Sequence, residues 1–357
     1  TMVLGALIAL FKDDLKALLA FSTVSHLGLL TMLLGFGTQA AAVAAVFHII
    51  NHLTFKAALF MTAGIVDHET HTRDIKRLGG LRHLMPITFV IGAVAALSMA
   101  GIPLFNGFLS KEMMLEEASH TDWFNSPYAV PVLATIGALL SVAYSLRFIF
   151  HVFLGPVRDD YPHTPHDPPF GMWAAPALLC VLVVVIGVAP FLAEGVVTAA
   201  ANAVTGADLH PHLKIWHGVT PALWMSVLAV LGGAILLSQH KGLEKIWNAL
   251  PRPEAKAIFD RLVEAIVAAS RAITEICHNG AISRYLAIFT VTSVAFGWIA
   301  YSSSGLSAPT RGLLPVPPVV AIGWIMLVVA TISVVTMHHY RFRALVLIGI
   351  IGLSISA

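Results

Sequence analysis

Charge is scarce in this chain. Of its 357 residues only 11% are Asp, Glu, Lys or Arg, while 57% are hydrophobic. An ordinary soluble domain carries roughly 25% charged residues. The deficit excludes a water-facing surface of normal size, and the apolar runs repeatedly reach the ~20 residues that cross a hydrocarbon layer. A soluble enzyme with a large core is therefore a poor fit. Cysteine is scarcer still: Cys180 and Cys277 are too few and too far apart for a disulfide framework or metal cluster, and read as small apolar fillers. No GxGxxG, phosphate-binding loop, CxxC pair or nucleophile elbow is present. Redox-cofactor and nucleotide chemistry thus have no carrier in the sequence, no cofactor is expected, and the energy for any work must come from an ion gradient or a partner. A signal peptide is missing too, because "TMVLGALIALF" has neither a charged n-region nor a small-residue cleavage site. The last run, "LVLIGIIGLSISA", stops inside an apolar stretch. The chain is expected to be a fragment that begins and ends within transmembrane helices.

What is present is an integral membrane pattern, with Gly (27) and Pro (19) lying inside apolar stretches as they do in membrane helices. A partial span covers about 1–11, with spans near 17–36, 40–66, 86–118, 127–154, 171–193, 219–238, 284–303 and 317–337, and a final partial one from 344. Residues 254–277 differ. Ile258, Leu262, Ile266, Ile273 and Ile276 recur at helical spacing while Asp260, Glu264, Arg271 and Glu275 interrupt, so an amphipathic helix lying along a membrane surface or a partner is expected. With each span crossing once, sixteen Lys and Arg residues fall in the loops of one side, among them Arg73, Lys76, Arg158, Lys241 and Arg252. Only Lys214 and Arg311 fall on the other. The basic side is expected to be cytoplasmic.

Lys56, Lys111 and Arg147 remain outside the loops. A charge at mid-bilayer costs ~3 kcal/mol or more, so each needs a reason. In "AVFHIINHLTFKAALFM" (45–61), His48, His52 and Lys56 are spaced i, i+4, i+8 and form one slowly turning stripe, about 12 Å long at the helical rise. Three protonatable groups stacked along the membrane normal suit a proton wire. Ser22, Ser25 and His26 share one face of the preceding span and are placed to join it. The alternatives are helix-packing histidines, a lysine snorkelling to an interface, and a metal pair at His48 and His52; no nearby carboxylate or Cys supplies further metal ligands, and Lys56 repels a cation. In "MAGIPLFNGFLSKEMMLEEA" (99–118), Gly101, Pro103, Asn106 and Gly107 interrupt a span in mid-course, with Lys111 and Glu112 just beyond. Broken helices at membrane depth mark ion sites; the alternative is a plain helix end at 101 with Lys111 on a solvated turn. Arg147 reads as a helix anchor or the counter-ion of a buried carboxylate. His163, His166, His210, His212, His338 and His339 fit solvated faces.

Three segments in order, "KDDLKALLAFSTVSHLG" (12–28), "FHIINHLTFKAALFMTAG" (47–64) and "GIPLFNGFLSKEMML" (101–115), resemble the antiporter-like subunits of respiratory complex I, membrane-bound hydrogenases and multisubunit Mrp (Mnh) cation/proton antiporters. The resemblance implies an all-α polytopic bundle of two inverted five-helix repeats, each with a broken helix, in which His48, His52 and Lys56 form the central relay and Lys111 is the terminal lysine. His26 falls where many relatives carry Gln. Beyond 155, "HLKIWHGVTPALWMSVLAVLGG", the amphipathic stretch and three further spans resemble the A-type subunits of Mrp antiporters. The complex I L-type subunit fits poorly because it normally closes with one span after its lateral helix. On this resemblance, 1–155 is the second half of the proton-translocating core, 156–253 its closing helices, 254–283 the lateral helix and 284–357 the start of a C-terminal membrane domain. The first repeat would lie upstream. Also implied are a cell-membrane location, other Mrp-type subunits as partners, Na+ and H+ as substrates, and Glu112 biasing Lys111 at the outer half-channel. A proton-pumping subunit of a redox enzyme and a purely structural scaffold are the competing readings.

Overall fold

Small residues and polar caps decide where the helices lie. The computed structural model describes the chain except residues 124, 159–160, 217, 251–254, 279, 306–314 and 357 and the side chains of Ala255 and Cys277. Arg252, Arg311 and the Cys277 side chain therefore lie outside the described residues. No strand occurs among the described residues, and seven of their helices are long and apolar enough to cross a membrane. The chain is an all-α, multi-pass membrane protein.

The described residues form two units, Thr1–Arg252 and Pro253–Ala357. In the first, α1 (Met2–Leu10) packs along α2 (Leu15–Gly35), and α3 (Gln39–Thr70) runs through the centre. The α1–α2 contact needs Gly28, where a Cβ would fall 2.4 Å from the Met2 nitrogen. Close backbone approach through small residues is how helices associate where no hydrophobic force drives them. Asp14 and Thr38 cap α2 and α3 by accepting from the Ala17 and Ala41 amides. At 32 residues, α3 is about 48 Å long and outruns the span expected at 40–66.

A short α4 (Leu81–Leu84) leads into α5 (Pro86–Ala100), and α6 (Asn106–Ser119) follows after a gap. The single interrupted span expected at 86–118 is thus two helices. Gly101 and Pro103 lie in the gap, whereas Asn106 and Gly107 open α6. α7 (Ala129–Phe148) continues into a π-helical turn, Ile149–Phe153. Then come α8 (Phe170–Val188), ended by Pro190 short of the expected 193, α9 (Glu194–Thr205), α10 (Pro221–Ser238) and α11 (His240–Ala249). α9 and α11 were not expected from the sequence; each is too short or too polar to register as a span.

In the second unit, α12 (Ala255–Cys277) is the expected amphipathic helix and touches α13 (Ile282–Ser303). α14 (Pro318–Met337) packs on α15 (Arg341–Ser356), burying Ala330. Most apolar side chains of this unit are exposed.

One end of the first unit is tied by charge. Arg147, 1% exposed, donates to the Leu10 and Lys12 carbonyls at 2.7 and 2.6 Å and to the Asp13 carboxylate at 2.6 Å. It is the anchor that the sequence left open and a counter-ion too, though to a partly exposed carboxylate rather than a buried one. Lys76 bridges Asp13 and Glu244 at 2.8 and 2.6 Å. Partial burial alone would raise the Asp13 carboxyl, but the bonds from Lys76 and Arg147 hold it below the usual carboxylate range. Bonds to Asp13 and then Glu244 push Lys76 up. The lowered Asp13 contributes stability that is present above its unfolded value, about 3.9, and is lost as pH falls through the folded one. Lys76 contributes stability that is full below about 10.4 and is lost as pH rises through its folded value. Asp13→Asn should leave Arg147 partly uncompensated and cost roughly 3 kcal/mol, the low end for an ion pair broken from one side, because Asp13 is half-solvated. Thermal unfolding in detergent should show a lower midpoint for Asp13→Asn and a smaller acid-induced loss below about pH 4.

Candidate functional site

The gap between α5 and α6 leaves backbone groups that nothing in a helix satisfies. Side chains from α3 and α5 meet them. Asn106 Oδ1 accepts from Ser98 Oγ at 2.7 Å, and its amide donates to Thr54 Oγ1 at 3.0 Å. Asn51 donates to the Asn106 carbonyl at 2.9 Å, and the Gly107 amide donates to Ser98 Oγ at 3.1 Å. Gly107 is required here, since a Cβ would sit 2.0 Å from the Ser98 carbonyl oxygen. At the open end of α5, Gly101 takes φ +82° and its amide closes back on Leu97 and Ser98. The last two carbonyls, Met99 and Ala100, face the interior.

Those carbonyls hold Lys111. Its Nζ donates to Met99 O at 2.7 Å, to Ala100 O at 3.1 Å and to Ser141 Oγ of α7 at 2.8 Å. A cation at the C-terminal end of a helix also gains from the helix dipole. Lys56 lies on the other side of the same residue. Its Nζ contacts Met99 Sδ at 3.3 Å, donates to the Leu19 carbonyl at 3.2 Å, and makes a short contact with Ser22 Oγ. Both lysines are 4% exposed, so neither snorkels nor sits on a solvated turn. Met99 thus separates two buried ammonium groups that are 55 residues apart in sequence.

The imidazoles form a chain beside them. Tyr144 OH meets His26 Nε2 at 3.1 Å, His26 Nδ1 meets His48 Nε2 at 3.0 Å, and His48 Nδ1 meets Ser110 Oγ at 2.9 Å. In a neutral imidazole one nitrogen donates and the other accepts, so such a chain passes a proton by reversing its donors in turn. Tyr144 also lies beside Ser141 and Ser25, which brings this chain to the hydroxyl that holds Lys111. His52 stands apart from it. Its ring is 5.1 Å from that of His26, and its buried Nε2 has no hydrogen-bond partner. Ser25 donates to the Met2 carbonyl at 2.8 Å and so also serves the α1–α2 contact.

Glu112 turns the other way. Among the described residues it makes no ion pair with Lys111. It is 6% exposed, its Oε2 is unpartnered, and it lines a cavity of about 310 Å³ with Glu116, Glu117 and Thr220. Thr38 donates to Glu117 at 2.6 Å at the same place. No cluster of three or more His, Cys, Asp or Glu arranged to hold a metal occurs among the described residues. His163, His166, His210, His212, His338 and His339 are exposed.

Ser110, Ser141, Tyr144 and Met99 went unnoticed in the sequence. A signal existed for two of them. Ser141 and Tyr144 are three apart in α7, a polar pair on one face of an otherwise apolar span. Met99 carries none, because its role lies in a backbone carbonyl.

Residues 1–137 match the family model described as NADH:quinone oxidoreductase/Mrp antiporter, transmembrane. That stretch belongs to the antiporter-like membrane-subunit family. It is 35% identical over 382 residues to the A-type Na(+)/H(+) antiporter subunit of Alkalihalophilus pseudofirmus, covering 99% of this chain and 47% of that protein. The corresponding Na(+)/H(+) antiporter subunit of Bacillus subtilis is 35% identical over 385 residues, covering 100% and 48%. A probable K(+)/H(+) antiporter protein of Rhizobium meliloti, of the combined A/B type, is 51% identical over 236 residues, or 65% of this chain and 24% of that protein. The Mrp complex of Dietzia sp. DQ12-45-1b aligns with TM-score 0.74 at 33% identity, over 99% of this chain and 38% of that one. An archaeal membrane-bound sulfane sulfur reductase shares the fold, with TM-score 0.60 at 24% identity over 82% and 54%. The chain spans a quarter to a half of the length of the relatives it matches.

The site's geometry makes one substitution diagnostic of the break. Gly107→Ala should lower stability by about 1–3 kcal/mol, as overpacking does, and displace α6 from Ser98. Gly64→Ala in α3, whose added methyl meets nothing within 4 Å, should leave the unfolding midpoint unchanged or raise it, because Ala is the better helix former.

Proposed function

We propose that this chain is part of a monovalent cation/proton antiporter subunit, exchanging cytoplasmic Na+ for external H+ in a cell-membrane complex with other Mrp-type subunits. It acts as a secondary transporter component, with no catalytic step of its own. One observation carries this reading: two buried lysines share Met99, and a chain of two imidazoles, a tyrosine and a serine lies beside them. A buried ammonium lacking a carboxylate partner is readily deprotonated, since burial disfavours its charged form. Lys56 alternates between ammonium and amine. A proton leaving it reaches His52 Nε2 through a water, then the His26–His48 pair. Ser110 ends the chain at His48, Tyr144 and Ser141 deliver the proton from His26 towards Lys111, and Glu112 at its cavity exchanges it with the outer face.

The grouping of Lys12, Lys16, Arg73, Lys76 and Arg158 about the Asp13–Arg147 corner supports a cytoplasmic location for that end. The division into a core half over 1–155, closing helices over 156–253, a lateral helix over 254–283 and a further membrane domain from 284 is part of the same proposal. The family description also names NADH:quinone oxidoreductase. It keeps a second reading in view, a proton-pumping subunit of a redox complex that moves no sodium.

The test uses the full-length protein with its partner subunits in everted vesicles from an antiporter-deficient host. Respiration sets a ΔpH, Na+ or K+ is added, and a fluorescent dye follows proton movement. Cation-dependent collapse of ΔpH, lost in an assembled Lys56→Ala complex, is the expected result. Exchange that survives Lys56→Ala would remove the lysine from the mechanism. No response to either cation in the assembled wild type would favour the redox-driven reading.

A further inference from the structure

Below the Asp13–Arg147 corner lies a cavity of about 380 Å³ that the proton path does not use. The end of α7, the π-helical turn and the residues after it line it together with α11 and the segment 75–79. Four cationic side chains line it: Lys76, Arg147, Arg158 and Lys241. Glu244 lines it as well and Asp13 lies behind it, and both are bonded to Lys76. Among the described residues that line it, two positive charges are left in excess, on Arg158 and Lys241. Arg158 has one long bond, to the Lys76 carbonyl at 3.4 Å.

Three buried polar atoms in the wall lack any partner, on Arg147, His151 (Nδ1) and His240. Arg147 uses its terminal nitrogens on Leu10, Lys12 and Asp13, yet its buried Nε is unpaired. His240, 5% exposed, has an unpaired Nδ1. Burial, then the charge of Arg147, pushes His240 down to about 4, so the ring is neutral. An unpaired N–H in a buried guanidinium costs free energy until an acceptor arrives. An anion with several oxygens is what this wall is short of.

We propose that this cavity binds the phosphate of an anionic membrane lipid. Phosphate oxygens accept from Arg147 Nε and the His240 ring while Arg158 and Lys241 supply the opposing charge. Position argues for a lipid rather than a free ion. Arg147 and the π-helical turn end a membrane span, and the half-exposed apolar ring of Phe150 forms part of the cavity wall, giving an acyl chain a surface to follow. α11 carries Trp247 stacked at 4.7 Å on Phe11, and His240 stacked on the same ring at 5.6 Å. Tryptophan and basic residues on a short amphipathic helix are typical of the headgroup layer.

The experiment is native mass spectrometry of the full-length protein in its purified, delipidated complex, titrated with phosphatidylglycerol, phosphatidylcholine or inorganic phosphate. The wild type should retain one phosphatidylglycerol more tightly than any phosphatidylcholine. Losing a basic residue near the headgroups weakens anionic-lipid binding by about fivefold, so Arg158→Ala and Lys241→Ala should each show that loss, and the conservative Arg158→Lys and Lys241→Arg should recover most of it. The unfolding midpoint of each variant checks that the corner is intact. Equal retention of the two lipids, or unchanged phosphatidylglycerol affinity in a folded Arg158→Ala/Lys241→Ala double variant, overturns the proposal. Displacement of the lipid by millimolar inorganic phosphate also overturns it and assigns the cavity to the free ion.

Discussion

Everything in the first unit is arranged around the interruption after Ala100. Two ammonium groups inside a membrane bundle need acceptors, and a continuous helix gives only the second lone pair of carbonyls already engaged, as Leu19 does to Lys56. Breaking the chain between α5 and α6 frees the Met99 and Ala100 carbonyls, and Lys111 takes both. The break in turn needs Asn51, Thr54, Ser98 and Asn106 to absorb its remaining polar groups, and Gly107 to let the two half-helices approach. Lys56 is drawn to the same place through the Met99 sulfur and Ser22. Helix packing, polar satisfaction and lysine placement are one solution to one problem.

A consequence is that the lysines are linked sideways through α7 rather than along a single helix. The i, i+4, i+8 stripe on α3 suggests a wire along that helix, joined from the preceding span by Ser22, Ser25 and His26. In three dimensions His26 of α2 enters between His48 and Tyr144, and His52 turns to the side with an unpaired nitrogen. The hydrogen-bonded route therefore involves α2, α3, α6 and α7. Such a route is sensitive to helix motion, because each link crosses between elements.

The membrane character, most spans, the amphipathic α12, the break at Gly101 and Pro103, and the histidines and lysines of the buried cluster were legible in the sequence. Each produces a local signal: an apolar run, a helical period, or a charge where none is tolerated. What was not legible depends on partners distant in sequence. Tyr144 reads as one more aromatic in α7 until His26, 118 positions away, is beside it. The contribution of Met99 is a carbonyl, which no side-chain pattern reports. α9 and α11 escaped because a hydropathy scan detects crossing helices and not short ones. Glu112 shows the opposite failure. Its neighbour in sequence is Lys111, yet consecutive helical residues point apart, and the carboxylate faces a different cavity.

The second unit presents mostly exposed apolar surface, as expected of helices that meet lipid or other subunits. Relatives whose names carry K(+)/H(+) and Na(+)/H(+) are both similar to this chain, so the likeness does not by itself choose the cation. The buried cluster bears on the proton. The central claim is that the tyrosine and imidazoles connect the two lysines into one conducting group, and its most direct test is the exchange rate of Tyr144→Phe in the assembled full-length complex. The substitution removes one hydroxyl and keeps the ring. A rate at least about tenfold lower with normal assembly, on the scale that losing a positioned proton-transfer group costs, is the predicted result. Wild-type exchange in Tyr144→Phe would contradict the account and take the tyrosine link out of the proton's path.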